Sequence, residues 1–272
     1  MTGRADEGQS YLLATGEAAV SRLDLLDRIF GPGTRDLLKT VGLAPGMRVA
    51  EIGCGSGQTA IWIAGQVAPD GSVLAVDASR EQLQVARRNA AAAGIGNLSF
   101  HEATAYNLGP TAESFDRVYS RFLFCHLEDP AKALNQMTSI LKPGGILICE
   151  DHDDGGIFTE PQTRAYRRLV EISVAVNRAR GLDSCIGLKL PGLFRAAGFS
   201  YPNVRVNQLA FLRGEEKRFW EITLREAAPA ILAAGASTPD ELDSICNEMQ
   251  TIDTDESILL MLARVTQVWS QS

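Results

Sequence analysis

The chain has 272 residues, of which 45% are hydrophobic and 22% charged, and its formal net charge is -7. This length and composition are typical of a globular protein with a well-filled core, built as one large domain or as one domain with an insertion. The acidic balance argues against partners that require a basic surface, such as nucleic acids and anionic membranes.

The cysteines and the first residues indicate the compartment. The five cysteines are scattered and no two have C-x-x-C spacing; they are Cys54, Cys125, Cys149, Cys185 and Cys246. This pattern indicates reduced thiols, with neither a disulfide framework nor a zinc site. Residues 1–10 lack the apolar core of a signal peptide, and no apolar run is long enough to span a bilayer. We therefore expect a cytoplasmic protein with no membrane partner.

Two short helices are predicted before the first strand. Apolar residues recur at helical spacing from about residue 17 to residue 30. The sequence Gly31-Pro32-Gly33 is predicted to end this helix, because proline and glycine break helices. A second helix is predicted over about residues 34–41. Arg22, in the first helix, is expected to be a solvated charge, with contact to a bound ligand as the alternative.

A glycine-rich turn follows the first predicted strand, residues 48–52, and leads into an apolar helix. The turn has the pattern E-x-G-x-G-x-G, formed by Glu51, Gly53, Gly55 and Gly57. Glycine allows positive φ and a close approach of a ligand to the backbone, and a helix N-terminus presents free N–H groups. A dinucleotide-binding turn has the spacing G-x-G-x-x-G, which Gln58 does not fit.

The second predicted strand, residues 72–77, ends in Asp77. A carboxylate at a strand end can accept hydrogen bonds from two neighbouring hydroxyls, such as those of a ribose. The alternative is that Asp77 caps the following helix. Ser79 and Gln82 form a better cap, because they have the S-x-x-Q spacing of a capping box.

Three further strands alternate with helices up to residue 150. They are predicted over residues 98–101, 114–120 and 146–150. Phe115-Asp116 lies at the start of the fourth strand, Asp129-Pro130 starts the next helix, and Leu141-Lys142-Pro143-Gly144-Gly145 forms the turn before the fifth strand. This alternation predicts a parallel sheet covered by helices on both faces.

The second half of the chain has a looser pattern. Helices are predicted over about residues 160–180, 188–197, 215–234 and 239–250, and strands over about residues 204–212 and 258–268. We predict that the two strands complete a sheet of seven, mostly parallel strands. A helical insertion is predicted over about residues 213–252, and no motif there identifies an acceptor.

Together these features resemble the class I S-adenosylmethionine-dependent methyltransferases, and in particular the small-molecule branch of ubiquinone and menaquinone C-methyltransferases. The resemblance rests on the glycine turn, the strand-end acid, the Phe-Asp strand and the L-K-P-G-G turn, all within residues 46–150. It implies a Rossmann-like α/β fold with S-adenosylmethionine as cofactor. It also implies an N-terminal helical lid, residues 1–45, and a methyltransferase domain, residues 46–272.

The resemblance further implies which residues hold the cofactor. The glycine turn would wrap the methionine part of the cofactor, and Asp77 would bind its ribose. Gln82 would lie at the edge of the adenine. Family members often have an acid near the third strand for the adenine amino group; this chain has Thr104, with the backbone of Ala105 as a second contact. Tyr11 either contacts the cofactor or packs the lid. The full predicted set is Tyr11, Glu51, Gly53, Cys54, Gly55, Gly57, Asp77, Ala78, Gln82, Thr104, Ala105, Arg121 and Phe122.

Methyl transfer from a sulfonium is an in-line displacement, and alignment of the nucleophile contributes roughly 7–11 kcal/mol. An oxygen or nitrogen nucleophile also loses a proton, and a positioned base adds about 10²–10⁴-fold. All three histidines fall near strand ends, where ligands bind in such sheets. His152, in an acidic run, is the strongest candidate base, with an exposed loop residue as the alternative. His126 either contacts the acceptor or packs, and His101 is expected to be structural.

The acidic run over residues 150–154 also raises the question of a metal, because hard cations bind carboxylates. Magnesium-dependent catechol-type methyltransferases place an acid past the fourth strand, where this chain has Ser120-Arg121. We therefore expect no metal.

The leading hypothesis is methyl transfer to an oxygen, nitrogen or carbon atom of a small molecule, in secondary metabolism. One alternative is an RNA or protein acceptor, which the net charge and the lack of an Asn/Asp-Pro-Pro-aromatic motif disfavour. Another is a nicotinamide-dependent oxidoreductase, which the glycine spacing disfavours. A cofactor-binding protein without transfer activity stays open, and so does a homodimer.

Overall fold

The structure is a computed structural model that describes residue 13, residues 15–109 and residues 115–272. The strands of these residues are β1 (Arg48–Ile52), β2 (Ser72–Asp77), β3 (Leu98–Glu102), β4 (Phe115–Arg121), β5 (Leu141–Asp153), β6 (Phe158–Glu160), β7 (Asn203–Asn207), β8 (Ala210–Phe211), β9 (Leu259–Met261) and β10 (Arg264–Gln271). The helices are α1 (Val20–Thr40), α2 (Gln58–Val67), α3 (Arg80–Ala92), α4 (Pro130–Ser139), α5 (Arg164–Ala179), α6 (Leu190–Ala196), α7 (Phe219–Ala233) and α8 (Pro239–Thr254).

The main sheet has seven strands in the order β3-β2-β1-β4-β5-β10-β7. The first five strands of the chain run parallel, and β10 runs antiparallel to both of its neighbours. The predicted seven-stranded, mostly parallel sheet is therefore confirmed. Glu51 pairs with Ala75 and Tyr119, and Arg121 pairs with Glu150. This register brings the carboxyl ends of β1, β2, β4 and β5 to one edge of the sheet.

Helices cover both faces of this sheet. Along β1, Val49 packs in a buried cluster with Leu37 of α1 and Ile63 of α2. The next residue, Ala50, packs on the opposite face with Leu134 of α4 and Phe194 of α6. This alternation follows from the two-residue period of a strand, and it explains why β1 is apolar on both sides. A third core lies among α5, α7 and α8.

The predicted break at Gly31-Pro32-Gly33 is wrong, because α1 runs through it as one helix. Proline removes one helical hydrogen bond and normally costs about 3 kcal/mol in a helix interior. Here the flanking turns are held by burial of Phe30 and Leu37. An ion pair of 2.6 Å between Asp27 and Arg35 also spans the proline. Tertiary packing thus outweighs the local signal.

The two strands predicted in the second half are each divided. Residues 203–211 form β7 and β8, and residues 259–271 form β9 and β10. Gln208 lies between β7 and β8. Its Nε2 donates to the carbonyls of Gly156 and Leu262 at 2.6 and 3.1 Å. β6, β9 and β8 form a separate three-stranded sheet. Strands of two or three residues are too short for a periodic signal, so this sheet was not predicted.

Strand β5 is longer than predicted at both ends. It starts at Leu141, so the L-K-P-G-G segment belongs to it, and it ends at Asp153. His152 is therefore a strand residue, and the alternative of an exposed loop residue is wrong. No helix within the described ranges is both long and apolar enough to cross a membrane.

Candidate functional site

A cavity of about 230 Å³ lies at the carboxyl edge of the main sheet, under α1, α5 and α7. Its lining includes these residues of the predicted set: Glu51, Gly53, Cys54, Gly55, Asp77, Gln82, Arg121, Phe122, His126 and His152. Parallel strands place ligands at this edge. Most of the predicted site residues, nearly all from the first half of the chain, therefore line this one cavity.

Other members of the predicted set lie elsewhere. Ala78 and Thr104 are exposed, and Ala105 is buried in the core beside β4. None of these three, nor Gly57, is among the residues that line the cavity in the described part of the chain. Tyr11 lies outside the described residues. Contacts of these residues with a cofactor stay predictions.

The glycine turn uses its residues for different purposes. Gly53, Gly55 and Gly57 have φ values of 79°, 53° and 80°. A Cβ on Gly57 would lie 2.9 Å from the Cβ of Ala86, so this glycine permits close packing of α2 on α3. A Cβ on Gly55 would meet no atom within 4 Å among the described residues, which leaves the turn open on the cavity side. Gly55 is thus the position where a ligand can approach the backbone.

Asp77 holds the turn and faces the cavity. Its Oδ2 accepts from the N–H of Gly55 at 2.8 Å, and its Oδ1 accepts from the N–H of Ser79 at 2.9 Å. Burial raises the pKa of the carboxyl, and these N–H groups oppose the rise. The Ser79 Oγ accepts from the N–H of Gln82 at 3.2 Å, so Ser79 caps α3, as predicted. Asp77 is therefore not needed as the cap.

Among the buried polar atoms at the cavity that lack a hydrogen-bond partner within the described residues, two lie near the glycine turn and Asp77. They are Oε2 of Glu51 and Oε1 of Gln82. Burial raises the pKa of Glu51 to about 8, against the opposing charge of Arg121. Leaving buried polar atoms unpaired costs about 1–3 kcal/mol each. A ligand that carries ammonium, hydroxyl and amino groups, as S-adenosylmethionine does, fits this donor and acceptor set.

Arg121 ties the sheet to α1. Its Nη2 lies 3.1 Å from Asp27 Oδ1, and its Nη1 donates to Thr34 Oγ1 at 3.0 Å. Arg22 is also buried, and its Nε lies 2.7 Å from Glu226 on α7. The expectation of a solvated Arg22 was wrong, because α7 covers that side of α1. The sequence could not place α7 there.

Phe122 has a left-handed backbone, with φ of 52°, and it is the one non-glycine residue with positive φ in the described ranges. Such a conformation costs on the order of 1–3 kcal/mol. The ring packs edge-on against Phe30, with centroids 5.0 Å apart, and against His152, with centroids 5.6 Å apart. The N–H of Phe122 donates to the carbonyl of Glu150 at 2.9 Å. These contacts hold a bulky ring at the cavity wall.

His152 lies between two carboxylates. Its Nδ1 is 3.3 Å from Asp151 Oδ1, and its Nε2 is 3.4 Å from Asp154 Oδ1. Burial by itself would lower the pKa of His152, but Asp154 and other neighbours raise it well above the usual value. This shift favours the imidazolium form, in which both ring nitrogens are hydrogen-bond donors. Burial lowers the pKa of His126 to about 4, so that ring is neutral. Which of the two acts on a substrate stays a prediction.

Cys125, Asp151 and His152 bring potential metal ligands within 4.8 Å of one another. The Asp151 Oδ2, however, already accepts from the N–H groups of Phe124 and Cys125 at 2.8 and 3.3 Å. Burial raises the pKa of the Cys125 thiol to about 12, which disfavours the thiolate that a metal needs. The cluster thus serves as a hydrogen-bonded support for His152.

Several cavity residues were not predicted. Asp154 is 2% exposed, and its Oδ2 accepts from Ser173 Oγ at 2.5 Å. Apolar and aromatic side chains of α5 and α7 line the rest; examples are Leu169, Ile172, Phe219, Trp220 and Leu224. The position of Asp154 in the acidic run at residues 150–154 was a sequence signal that could have identified it as a site residue. The apolar residues gave none, because a helix face toward a cavity has the same pattern as one toward a core.

Known proteins resemble this chain in both sequence and fold. A family model described as a methyltransferase domain matches residues 43–185. Methyltransferase GfsG of Streptomyces halstedii is 29% identical over 143 residues, which are 52% of this chain and 51% of that protein. Demethylmenaquinone methyltransferase of Symbiobacterium thermophilum is 27% identical over 150 residues, which are 53% of this chain and 60% of that protein. The chain thus spans about half to three fifths of the length of these relatives.

The crystal structure of the YcgJ protein from Bacillus subtilis superposes with a TM-score of 0.58 at 20% sequence identity. The superposition covers 87% of this chain and 96% of that one. It shows the same fold across most of the molecule, whereas the family model covers the glycine turn and the strands that surround the cavity. The chain belongs to the methyltransferase domain family, as a class I member with a Rossmann-like fold.

Proposed function

We propose that the protein transfers the methyl group of S-adenosylmethionine to a small-molecule acceptor. The observation that carries this proposal is the arrangement of Asp77, Gly55 and Glu51 around one cavity. Asp77 fixes the open glycine turn through the N–H of Gly55. Glu51 offers a buried oxygen without a partner among the described residues. A dinucleotide would bring a pyrophosphate to this place, and the protonatable acid Glu51 favours an ammonium instead.

Each part of the cofactor has residues suited to it. We assign the ribose hydroxyls to Asp77, the ammonium to Glu51 and the adenine edge to Gln82. When bound, the cofactor supplies a methyl group already activated by its sulfonium. The chain then has to align the acceptor and exclude water, which α1, α5 and α7 do by covering the cavity.

A small molecule suits the cavity better than a macromolecule. Helices enclose the site, and the net charge of -7 disfavours RNA. The names of the relatives above include a quinone methyltransferase, and only the broad class of small acceptor is carried over here. Secondary metabolism, a cytoplasmic location and a homodimer stay predictions.

The first experiment measures cofactor binding by calorimetry with S-adenosylhomocysteine. The wild type is expected to bind, and Asp77→Ala is expected to weaken binding about 100-fold, since hydrogen bonds to charged groups contribute about 1.5–3 kcal/mol each. Asp70→Ala, at an exposed turn residue, is the matched control and should change affinity less than twofold. No binding by the wild type at millimolar ligand, or tighter binding of NADH, would contradict the proposal.

The second experiment identifies the acceptor class. The protein is incubated with methyl-labelled S-adenosylmethionine and a fractionated cell extract. Label is expected in the small-molecule fraction. Label in precipitated RNA or protein instead would favour the alternative acceptor.

A further inference from the structure

The part of the cavity not assigned to the cofactor has an apolar and aromatic wall, beside polar side chains such as those of Asn177 and Thr223. Phe122, Phe30, Phe219 and Trp220 form a continuous edge-to-face series in that order, with successive centroids 5.0, 6.1 and 5.1 Å apart. Aliphatic side chains of α5 and α7 complete this wall, among them Leu169, Ile172 and Leu224. Edge-to-face packing between aromatic rings contributes about 0.5–1.5 kcal/mol beyond area burial. Such a wall favours a planar aromatic body.

The positively charged side chains that line the cavity are already ion-paired. Arg22 pairs with Glu226, Arg121 pairs with Asp27, and His152 pairs with two carboxylates. Asp77 accepts two backbone hydrogen bonds. Placing a charged acceptor beside groups that are already matched would leave its charge buried and unpaired, which is costly. An uncharged acceptor avoids this penalty.

Two polar atoms on the acceptor side lack a hydrogen bond within the described residues. One is Nε1 of Trp220, a donor on a residue that is 9% exposed, and the other is Oδ1 of Asp154, an acceptor on a residue that is 2% exposed. Ser173 holds the second oxygen of Asp154, and His152 lies 3.4 Å from the first. Buried polar atoms in native proteins nearly always have partners. A ligand with one hydroxyl donor and one oxygen acceptor would satisfy both.

We propose that the methyl acceptor is an uncharged aromatic hydroxyl compound, with its ring system against the aromatic wall and its reacting hydroxyl on Asp154. This inference rests on the proposed methyltransferase function and adds its substrate class and its base. Trp220 donates to a second oxygen of the acceptor, and His152 orients Asp154.

The reaction balances with these groups. The acceptor O–H proton passes to Asp154 Oδ1 while the acceptor oxygen forms the new O–CH₃ bond. The bond from the methyl carbon to sulfur breaks, and its electron pair stays on sulfur, which gives S-adenosylhomocysteine. The proton then leaves Asp154 for solvent. Asp154 is thus a catalytic residue that touches the substrate.

The binding test uses protein saturated with S-adenosylhomocysteine and two probes of similar shape, 2-naphthol and 2-naphthoate. Calorimetry is expected to show at least tenfold tighter binding of the neutral 2-naphthol. Equal or tighter binding of the anionic 2-naphthoate overturns the inference, and so does a wild type that binds the cofactor product but neither binds nor methylates 2-naphthol. If S-adenosylhomocysteine itself does not bind, the proposed function fails instead.

The catalytic test compares Asp154→Asn with the wild type, using 2-naphthol and methyl-labelled cofactor. Loss of the base is expected to lower kcat by about 10²–10⁴-fold. Affinity for S-adenosylhomocysteine should change less than twofold, which excludes a folding defect. The logarithm of kcat should also rise with pH at a slope near one, because hydroxide must replace the carboxylate. Asp70→Asn is the matched control, and an unchanged kcat in Asp154→Asn overturns the assignment.

Discussion

Glu51 is expected to change protonation when the cofactor binds. Its pKa of about 8 means that the free protein carries a proton there at pH 7. An ammonium group beside the carboxyl lowers this pKa, so binding releases up to about one proton. Because the complex holds fewer protons, affinity rises with pH toward 8 and levels off above it. Calorimetry of S-adenosylhomocysteine at pH 7, in buffers of different ionisation enthalpy, measures the release.

The matched variant is Glu51→Gln, which keeps the size of the side chain and cannot titrate. It is expected to release no proton from this site and to lose the affinity gain between pH 6 and pH 8. The same proton release in Glu51→Gln as in the wild type would show that another group carries the linkage.

Phe122 is expected to tolerate glycine better than alanine. Both substitutions remove the ring contacts, and they differ mainly in backbone strain at a φ of 52°. The left-handed conformation costs alanine about 1–2 kcal/mol of steric strain, and it costs glycine none. Urea denaturation should therefore give Phe122→Gly the larger free energy of unfolding by about 1 kcal/mol.

Leu123 supplies the comparison, because its φ is -98°. There the order should reverse, with Leu123→Ala more stable than Leu123→Gly. An alanine variant at position 122 that equals or exceeds the glycine variant would mean that this backbone relaxes once the ring is gone.

At the scale of elements, Lys217 joins the start of α7 to the end of α8. It is fully buried, and its Nζ donates to the carbonyls of Leu212, Asp255 and Ile258 at 3.2, 2.8 and 3.1 Å. Lys217→Met keeps the aliphatic stem and leaves these carbonyls without that donor. We expect a loss of about 3 kcal/mol of unfolding free energy, since each unpaired buried group costs about 1–3 kcal/mol. Thermal denaturation measures it.

Lys39→Met, at an exposed position near the end of α1, is the control for Lys217→Met. A surface change of this kind should alter stability by less than about 0.5 kcal/mol. Equal melting temperatures of the two variants would mean that water replaces the buried ammonium group.

The elements also differ in how far the sequence predicts them. β1 and β2 were predicted at their observed bounds, because each is a short apolar run next to a turn. α1 was predicted in two pieces, because its continuity depends on Asp27, Arg35 and the core rather than on its own residues. A local sequence pattern predicts a helix or strand correctly when contacts with residues distant in the sequence do not favour another conformation.

At the scale of the whole molecule, the strand–helix alternation was enough to predict the main sheet, and the motifs were enough to select several residues that line one cavity, among them Glu51, Gly55 and Asp77. The rest of the cavity lining could not be predicted. Trp220 and Asp154 line the same cavity only because α5, α7 and the segment after β5 pack around it. A single sequence carries no signal for contacts of that range, and Arg22 was misjudged for the same reason.

The position of β10 affects how the nascent chain can fold. β10 lies between β5 and β7, yet it follows both in the sequence. Until its residues leave the ribosome, β5 has an unpaired edge and β7 has no neighbour in the main sheet. Unpaired edges promote association between chains. The sheet can therefore close only after β10 has been synthesised, and chaperone protection matters most before that point.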